Sequence, residues 1–310
     1  MMKNSEPIHP AWKKTKLVSI DADTVRQAER QIASCEACTP DAAEIPFDYV
    51  LDRVTGKPLI GIEERPVPQE PGNKTARTQP FPLGDSPVPN CPEPGSVATG
   101  AMSSCVFGAF RPDQPVVMTP GTQGGLNWAP VTFSPQTRLF YVPASLINSQ
   151  FASGFSRPGG QPRAGTLTAM DPTTNRIVWQ VRTKYPLGTG SGLLSTASGL
   201  LIGGQSDGNL TIYDIRNGTV LWQFQTGAGA DAPVATYEVN GEQYIAILAS
   251  GNSFQLSPQG DHLWAFKLGG TVKPLPAPEP PPTLQPTGGR RGGGGGLTGV
   301  VDRGAMRGGS

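Results

Sequence analysis

From Phe47 onward the chain alternates short apolar runs with clusters of turn-forming residues, which predicts strands rather than helices. The segment FDYVLDRVTGKPLIGI (47–62) reads as strand, turn, strand, with Asp52-Arg53-Val54-Thr55-Gly56-Lys57 at the turn. LNWAPVTFSPQTRLFYVPASLI (126–147) repeats the pattern around Ser134-Pro135-Gln136-Thr137. Between the two, about residues 64–124 are rich in Pro, Gly, Ser and Thr with little periodicity. So long a stretch inside a compact domain is usually functional or partly disordered. Residues 1–45 are polar and poorly defined, with one weak helical stretch around DADTVRQAERQIASCEA that Asp23 or Thr24 could cap.

Residues 164–268 contain a repeat. GTLTAMDPTTNRIVWQVRT (165–183) is followed by GNLTIYDIRNGTVLWQFQT (208–226), and FQLSPQGDHLWAFKL (254–268) reads as a vestige of a third copy. Trp179, Trp222 and Trp264 are 43 and 42 residues apart. A period of ~40–45 residues made of short strands is that of a four-stranded propeller blade. Tandem hairpins in a sandwich are the alternative that this spacing leaves open. Asp171 and Asp214 stand where a carboxylate accepts backbone N–H groups and fixes a tight turn. The indoles beyond them suit packing between neighbouring sheets. These residues are therefore read as makers of the fold, not as catalysts.

Composition agrees with an all-β, turn-rich chain. There are 40 glycines and 33 prolines in 310 residues, nearly a quarter of the chain, and charged residues make up only 16%. A formal net charge of +1 excludes a nucleic-acid binder that relies on bulk positive charge. The two histidines, His9 and His262, are too few for a multi-His zinc site or a promising His-based triad. His262, beside Asp261, is expected to be a solvated turn residue. No apolar run approaches a membrane span, and no signal peptide is visible at the N-terminus. Cys35 and Cys38 form a CxxC without the partners of a haem or zinc-ribbon motif. Cys91 and Cys105 flank CPEPGSVATGAMSSC and are the candidates for a loop-stapling disulfide, which would imply an oxidising compartment. The tail 271–310, with PLPAPEPPP and GGRRGGGGG, buries too little apolar area to order and is expected to be disordered. That Gly-rich run follows no strand and lacks a Gly-Lys-Ser/Thr ending, so it is no phosphate loop.

Ala169-Met170-Asp171 through Asn175-Arg176 to Trp179 resembles the tryptophan-docking motif of the quinoprotein, pyrroloquinoline quinone (PQQ)-dependent, alcohol and glucose dehydrogenases. The Asp214–Trp222 copy retains the motif's glycine as Gly218. Further phrases resemble the same family, closest to its glucose-dehydrogenase-like branch. They are Val50 through Leu59, IEERPVPQ, KTARTQPFPLG, VVMTPGTQGGLNWAPVTFSP, APVATYEVNGEQYIAILASGN and GDHLWAFKL. The likeness covers roughly residues 47–268. It implies an all-β fold of propeller blades at 46–270, corresponding to the C-terminal half of an eight-bladed propeller roughly twice as long.

The resemblance also implies chemistry. The family oxidises alcohols or aldose sugars by hydride transfer to PQQ, with Ca²⁺ bridging quinone and protein oxygens as a Lewis acid. It passes electrons to a quinone or cytochrome acceptor and is typically periplasmic. Asn127 and Trp128 match the family's Gly-x-Asn-Trp phrase and are the candidate cofactor contacts. Catalytic residues are not identified: the base and the calcium ligands have no matching segment here, so no metal ligand is assigned. The family's basic quinone contact falls on Glu44, which would repel a tricarboxylate, and Ile45-Pro46 replaces the usual Thr-Gly. Two functional readings follow. One is a PQQ-dehydrogenase fragment or one half of a split enzyme, completed by a second chain or by self-association. The other is a non-catalytic propeller module that binds partners through its loops.

Overall fold

The computed structural model describes residues 39–42, 47–70, 76–97, 99–109, 113–151, 155–156 and 164–279. Among these residues there is no helix. The nineteen strands are β1 (Thr39–Ala42), β2 (Asp48–Leu51), β3 (Ile62–Pro66), β4 (Thr78–Pro82), β5 (Met102–Ser104), β6 (Val116–Met118), β7 (Thr132–Ser134), β8 (Leu139–Leu146), β9 (Ser149–Phe151), β10 (Phe155–Ser156), β11 (Ala164–Asp171), β12 (Arg176–Thr183), β13 (Leu194–Ser195), β14 (Leu200–Gly204), β15 (Asn209–Asp214), β16 (Val220–Gln225), β17 (Ala235–Val239), β18 (Glu242–Ala249) and β19 (His262–Phe266).

Three sheets carry the core, in strand orders β12-β11-β8-β7, β13-β14-β15-β16 and β17-β18-β19. A fourth, β10-β9-β6-β5, holds a parallel pair, β5 with β6. The β9–β10 hairpin lies in sequence between β8 and β11 but pairs with β6, while β8 and β11 pair with each other. Burial follows position in the sheet. The interior strand β11 (AGTLTAMD) is buried on both faces, whereas β12 (RIVWQVRT) alternates exposed and half-buried residues. Tyr141, Leu167, Ala169, Leu187, Leu193, Leu201, Tyr213 and Ile215 fill the space between the first two sheets. Ile202, Leu210, Ile212 and Ile247 do so between the second and third, with Trp222, Trp264 and Phe266 against them. Each buried leucine or isoleucine among them contributes roughly 1.5–3 kcal/mol when removed from water.

One five-residue turn recurs. The amide of Gly56 donates to Asp52 O at 2.7 Å, Arg138 to Ser134 at 2.7 Å, Asn175 to Asp171 at 2.8 Å and Gly218 to Asp214 at 2.8 Å. The donor residue is left-handed in all four, with φ of 68°, 58°, 53° and 73°. The Asp side chains close the turns as expected: Thr173 N donates to Asp171 Oδ1 at 2.8 Å and Arg216 N to Asp214 Oδ1 at 2.9 Å. Gly218 has a second reason to be glycine. A Cβ there would lie 2.7 Å from the ring of Trp179, so the indole of one sheet packs directly against the turn of the next.

The third copy of the repeat is different. Antiparallel connectivity makes β19 run opposite to β12 and β16, so Trp264 does not stand in a third docking position despite its spacing. Its indole Nε1 instead donates back to Thr226 O at 3.1 Å. Residues 254–261 form a loop rather than an Asp-closed turn, and His262 begins a strand, half-buried and paired with Ala249.

The Pro/Gly-rich stretch at 64–124 contains β4, β5 and β6, and β3 closes onto β4. Its 83–88 segment straps β11 and β12. Asp85 accepts Ile177 N at 2.9 Å and pairs with Arg176 at 2.8 Å, and Pro87 O accepts the hydroxyl of Thr166 at 3.0 Å. The tail is anchored at its start, where Leu275 N donates to Gln225 O at 3.1 Å. The helical stretch, Glu44, the CxxC and residues 280–310 lie outside the described residues. Cys91 and Cys105 are joined as a disulfide.

Candidate functional site at the loop end of the sheets

The antiparallel order sorts connections by end. The five-residue turns 134–138, 171–175 and 214–218 and the Asn240-Gly241 hairpin lie at one end. The connections 119–131, 184–193, 205–208, 226–234 and 250–261 meet at the other. They are tied to one another: Ala129 N to Gly188 O at 3.2 Å, Ala230 N to Gln205 O at 3.0 Å, and Gly229 N to Pro258 O at 2.8 Å. Asn252 Nδ2 reaches Thr189 O at 2.8 Å.

Asn127 and Trp128 lie on the first of these connections. The Asn127 amide donates to Gln123 O at 2.9 Å, and its Oδ1 accepts Trp128 N at 2.8 Å. One N–H and one lone pair of the side chain stay uncommitted in these two bonds, as an edge contact to a polar ligand requires. Trp128 is 56% exposed. Its ring meets that of Phe254, itself 57% exposed, edge to face at 5.6 Å between centroids. Two large, mostly exposed aromatic rings held at an angle make a corner that can take a flat ring. Phe254 O also accepts Gln123 Nε2 at 3.0 Å, so the 119–131 and 250–261 connections are joined twice.

The charge here is sparse. These connections carry Lys184 as their cation against Asp207, Asp231 and Asp261. Lys184 Nζ sits 5.1 Å from the Tyr185 ring centroid, and a hydrogen bond to Tyr185 holds its pKa above the usual lysine range. The buried Asp231 accepts hydroxyl protons from Ser206 and Ser257. Among the described residues no group of three His, Cys, Asp or Glu could hold a metal ion. Asn127 and the aromatic corner fit a planar quinone. The charge set does not fit three carboxylates or a calcium ion.

The other notable carboxylate, Asp48, is remote from this end. Its backbone carbonyl accepts Asn175 Nδ2 at the β11–β12 turn, at 3.2 Å. Both of its carboxylate oxygens are buried without a hydrogen bond, and burial pushes its pKa up to about 7.

The family model for the PQQ glucose/ethanol/alcohol dehydrogenase β-propeller domain matches residues 45–153 and 143–245. The chain belongs to the PQQ-dependent dehydrogenase family. The 1-butanol dehydrogenase (quinone) of Thauera butanivorans is 35% identical over 195 residues, 51% of this chain and 31% of that protein. The quinohemoprotein alcohol dehydrogenase ADH IIB of Pseudomonas putida is 32% identical over 265 residues, 76% of this chain and 35% of that protein. The crystal structure of the quinohemoprotein alcohol dehydrogenase from Comamonas testosteroni shares the fold, with a TM-score of 0.54 and 24% identity. That likeness covers 76% of this chain and 36% of the Comamonas chain. The chain therefore spans about a third of the length of these PQQ-dependent dehydrogenases and holds part of the family's propeller. No helix of the described residues is long and apolar enough to cross a membrane.

Phe254, Gln123, Asn252 and Asp231 were not legible as site residues. Gln123 and Phe254 are 131 positions apart, and neither sits in a motif of its own. The signal available was Asn252 two residues before Phe254, the spacing of an Asx turn, and Phe254 N does donate to Asn252 Oδ1 at 2.9 Å.

Proposed function

We propose that this chain supplies the C-terminal blades of a PQQ-dependent dehydrogenase that oxidises alcohols or aldose sugars, with Asn127 and Trp128 at the quinone. The observation that carries this reading is the aromatic corner of Trp128 and Phe254 beside a half-committed Asn127, within a chain of this family. PQQ, when bound, accepts the hydride. This chain's residues bind and orient one edge and one face of it: Asn127 through its amide, Trp128 by ring contact. The base, the Ca²⁺ ligands and the cations that neutralise the cofactor come from other blades, contributed by a second chain or by a longer form of this one. Electrons leave to a quinone or cytochrome acceptor, in the periplasm. In support of a missing neighbour, the outer face of β17–β19 exposes Tyr237, Val239, Leu248 and Leu263.

The same exposed face, together with the poor charge match, favours the second reading, a non-catalytic propeller module that binds another protein. Titration of the purified chain with PQQ in the presence and absence of Ca²⁺ separates the two. Saturable quenching of tryptophan emission that weakens in Asn127→Ala supports the quinone site. No binding, with concentration-dependent association of the chain, supports the interaction module.

A further inference from the structure

A run of hydrogen bonds leads from the buried Asp231 to the candidate quinone contact across three connections, with branches to two more. Asp231 Oδ1 accepts the Ser206 hydroxyl at 2.8 Å and Oδ2 accepts that of Ser257 at 2.5 Å. With its proton given to the carboxylate, Ser257 Oγ presents a lone pair to Asn252 N at 2.7 Å. Asn252 in turn orders the next residues: its Oδ1 accepts Phe254 N at 2.9 Å, and its Nδ2 holds Thr189 O at 2.8 Å. Phe254 O accepts Gln123 Nε2 at 3.0 Å, and Gln123 O accepts Asn127 Nδ2 at 2.9 Å.

The backbone is opened to make room for the carboxylate. A Cβ at Gly229 would lie 2.8 Å from Asp231 Oδ2 and 2.6 Å from Ser257 Oγ. Asp231 accepts from both serine hydroxyls, which sets their direction and hence that of the run that follows.

We infer that Asp231 is a positioning residue, whose hold on Ser206 and Ser257 sets the 250–257 loop so that Phe254 faces Trp128 and Gln123 orients Asn127. The inference rests on the reading of Asn127 and Trp128 as quinone contacts only for its effect on ligand binding. Its structural effect can be read without any ligand.

The test uses the full chain with Asp231→Ala, Asp231→Asn and Gly229→Ala, and with Trp128→Phe to assign the Trp128 emission. Asp231→Ala is expected to red-shift Trp128 emission, to raise its quenching by acrylamide and to speed amide exchange in 250–257, with exchange in β14 and β15 unchanged. Its PQQ dissociation constant is expected to rise about tenfold, the effect of one or two misplaced hydrogen bonds. Gly229→Ala, which crowds the same carboxylate and serine, should act in the same direction. Asp231→Asn should restore most of each readout. It keeps one acceptor oxygen, and Ser257 can turn its proton to Asn252 O, 3.3 Å away. Asp231→Ala with unchanged Trp128 emission and unchanged exchange in 250–257 overturns the inference. So does exchange that rises equally in every sheet, which is a general folding role. If the wild-type chain does not bind PQQ, the quinone reading fails, and the emission and exchange readouts still decide the role of Asp231.

Discussion

Two buried carboxylates lie at opposite ends of the sheets and are treated in opposite ways. Asp48, packed by the turn end, has no hydrogen bond to either oxygen. Asp231, at the loop end, is held by two serines. The connections at the two ends are also built differently. Each turn closes locally, within five residues, as between Asp214 and Gly218, and is then braced from a distance where Asn175 reaches Asp48 O. Loop-end contacts join positions far apart in sequence, as Gln123 with Phe254 or Asn252 with Thr189. The turns are thus made by neighbours in the chain, whereas the loop end gathers residues from several distant connections into one surface.

The comparison can be broken first at Asp48. Its pKa in the folded chain, about 7, stands well above the 3.8 of a free aspartate, so the folded state binds the extra proton. Its protonation favours folding fully below about pH 4; stability then falls as pH rises toward 7 and levels off above it. Asp48→Asn should remove this slope and at pH 8 raise stability by up to about 4 kcal/mol, read from urea melts at several pH values. A flat pH profile in the wild-type chain would remove the contrast between the two carboxylates.

Gly218→Val combines a left-handed φ with a clash against Trp179, and a loss of roughly 3 kcal/mol is expected in chemical denaturation. PQQ binding by the folded fraction should stay as in the wild type, since the change is at the other end. Asp171→Ala removes the acceptor that closes one turn and should cost about 1–1.5 kcal/mol, again without effect on ligand binding. Asn127→Ala is the converse. It should weaken PQQ about tenfold, or ~1.4 kcal/mol, while leaving the melting temperature within error. A variant that moved both stability and binding equally would show that the two ends are not separable. The smallest effect is expected from Leu275→Ala, which thins the contact of the tail with Gly227 by about 1 kcal/mol or less.

How far each end could be read from sequence follows from the same difference. Asp171, Asp214 and Gly218 announce their turns because carboxylate, left-handed residue and following strand are neighbours in the chain. Asn175 stands where the other copy has Gly218, because asparagine also tolerates the left-handed backbone the turn needs. The spacing of Trp264 misled for a related reason: a period counts residues, and it is blind to strand direction. At the loop end, Asn127 and Trp128 were put forward as candidates through a family phrase. Asp231, Ser257 and Phe254 sit among glycines, serines and alanines whose pattern specifies no partner. Nothing local distinguishes Asp231 from an exposed loop aspartate until the sheets have brought Ser206 and Ser257 to it.

After β8 the chain leaves that strand's sheet, pairs with β6 as the β9–β10 hairpin, and returns to lie beside β8 as β11. Two adjacent sheets are therefore laced together by a single stretch of chain. Neither can peel away without drawing the other with it, and a cut between β8 and β11 would loosen both. Mechanically the pair is a knit, in which tension applied to one row is carried by the next.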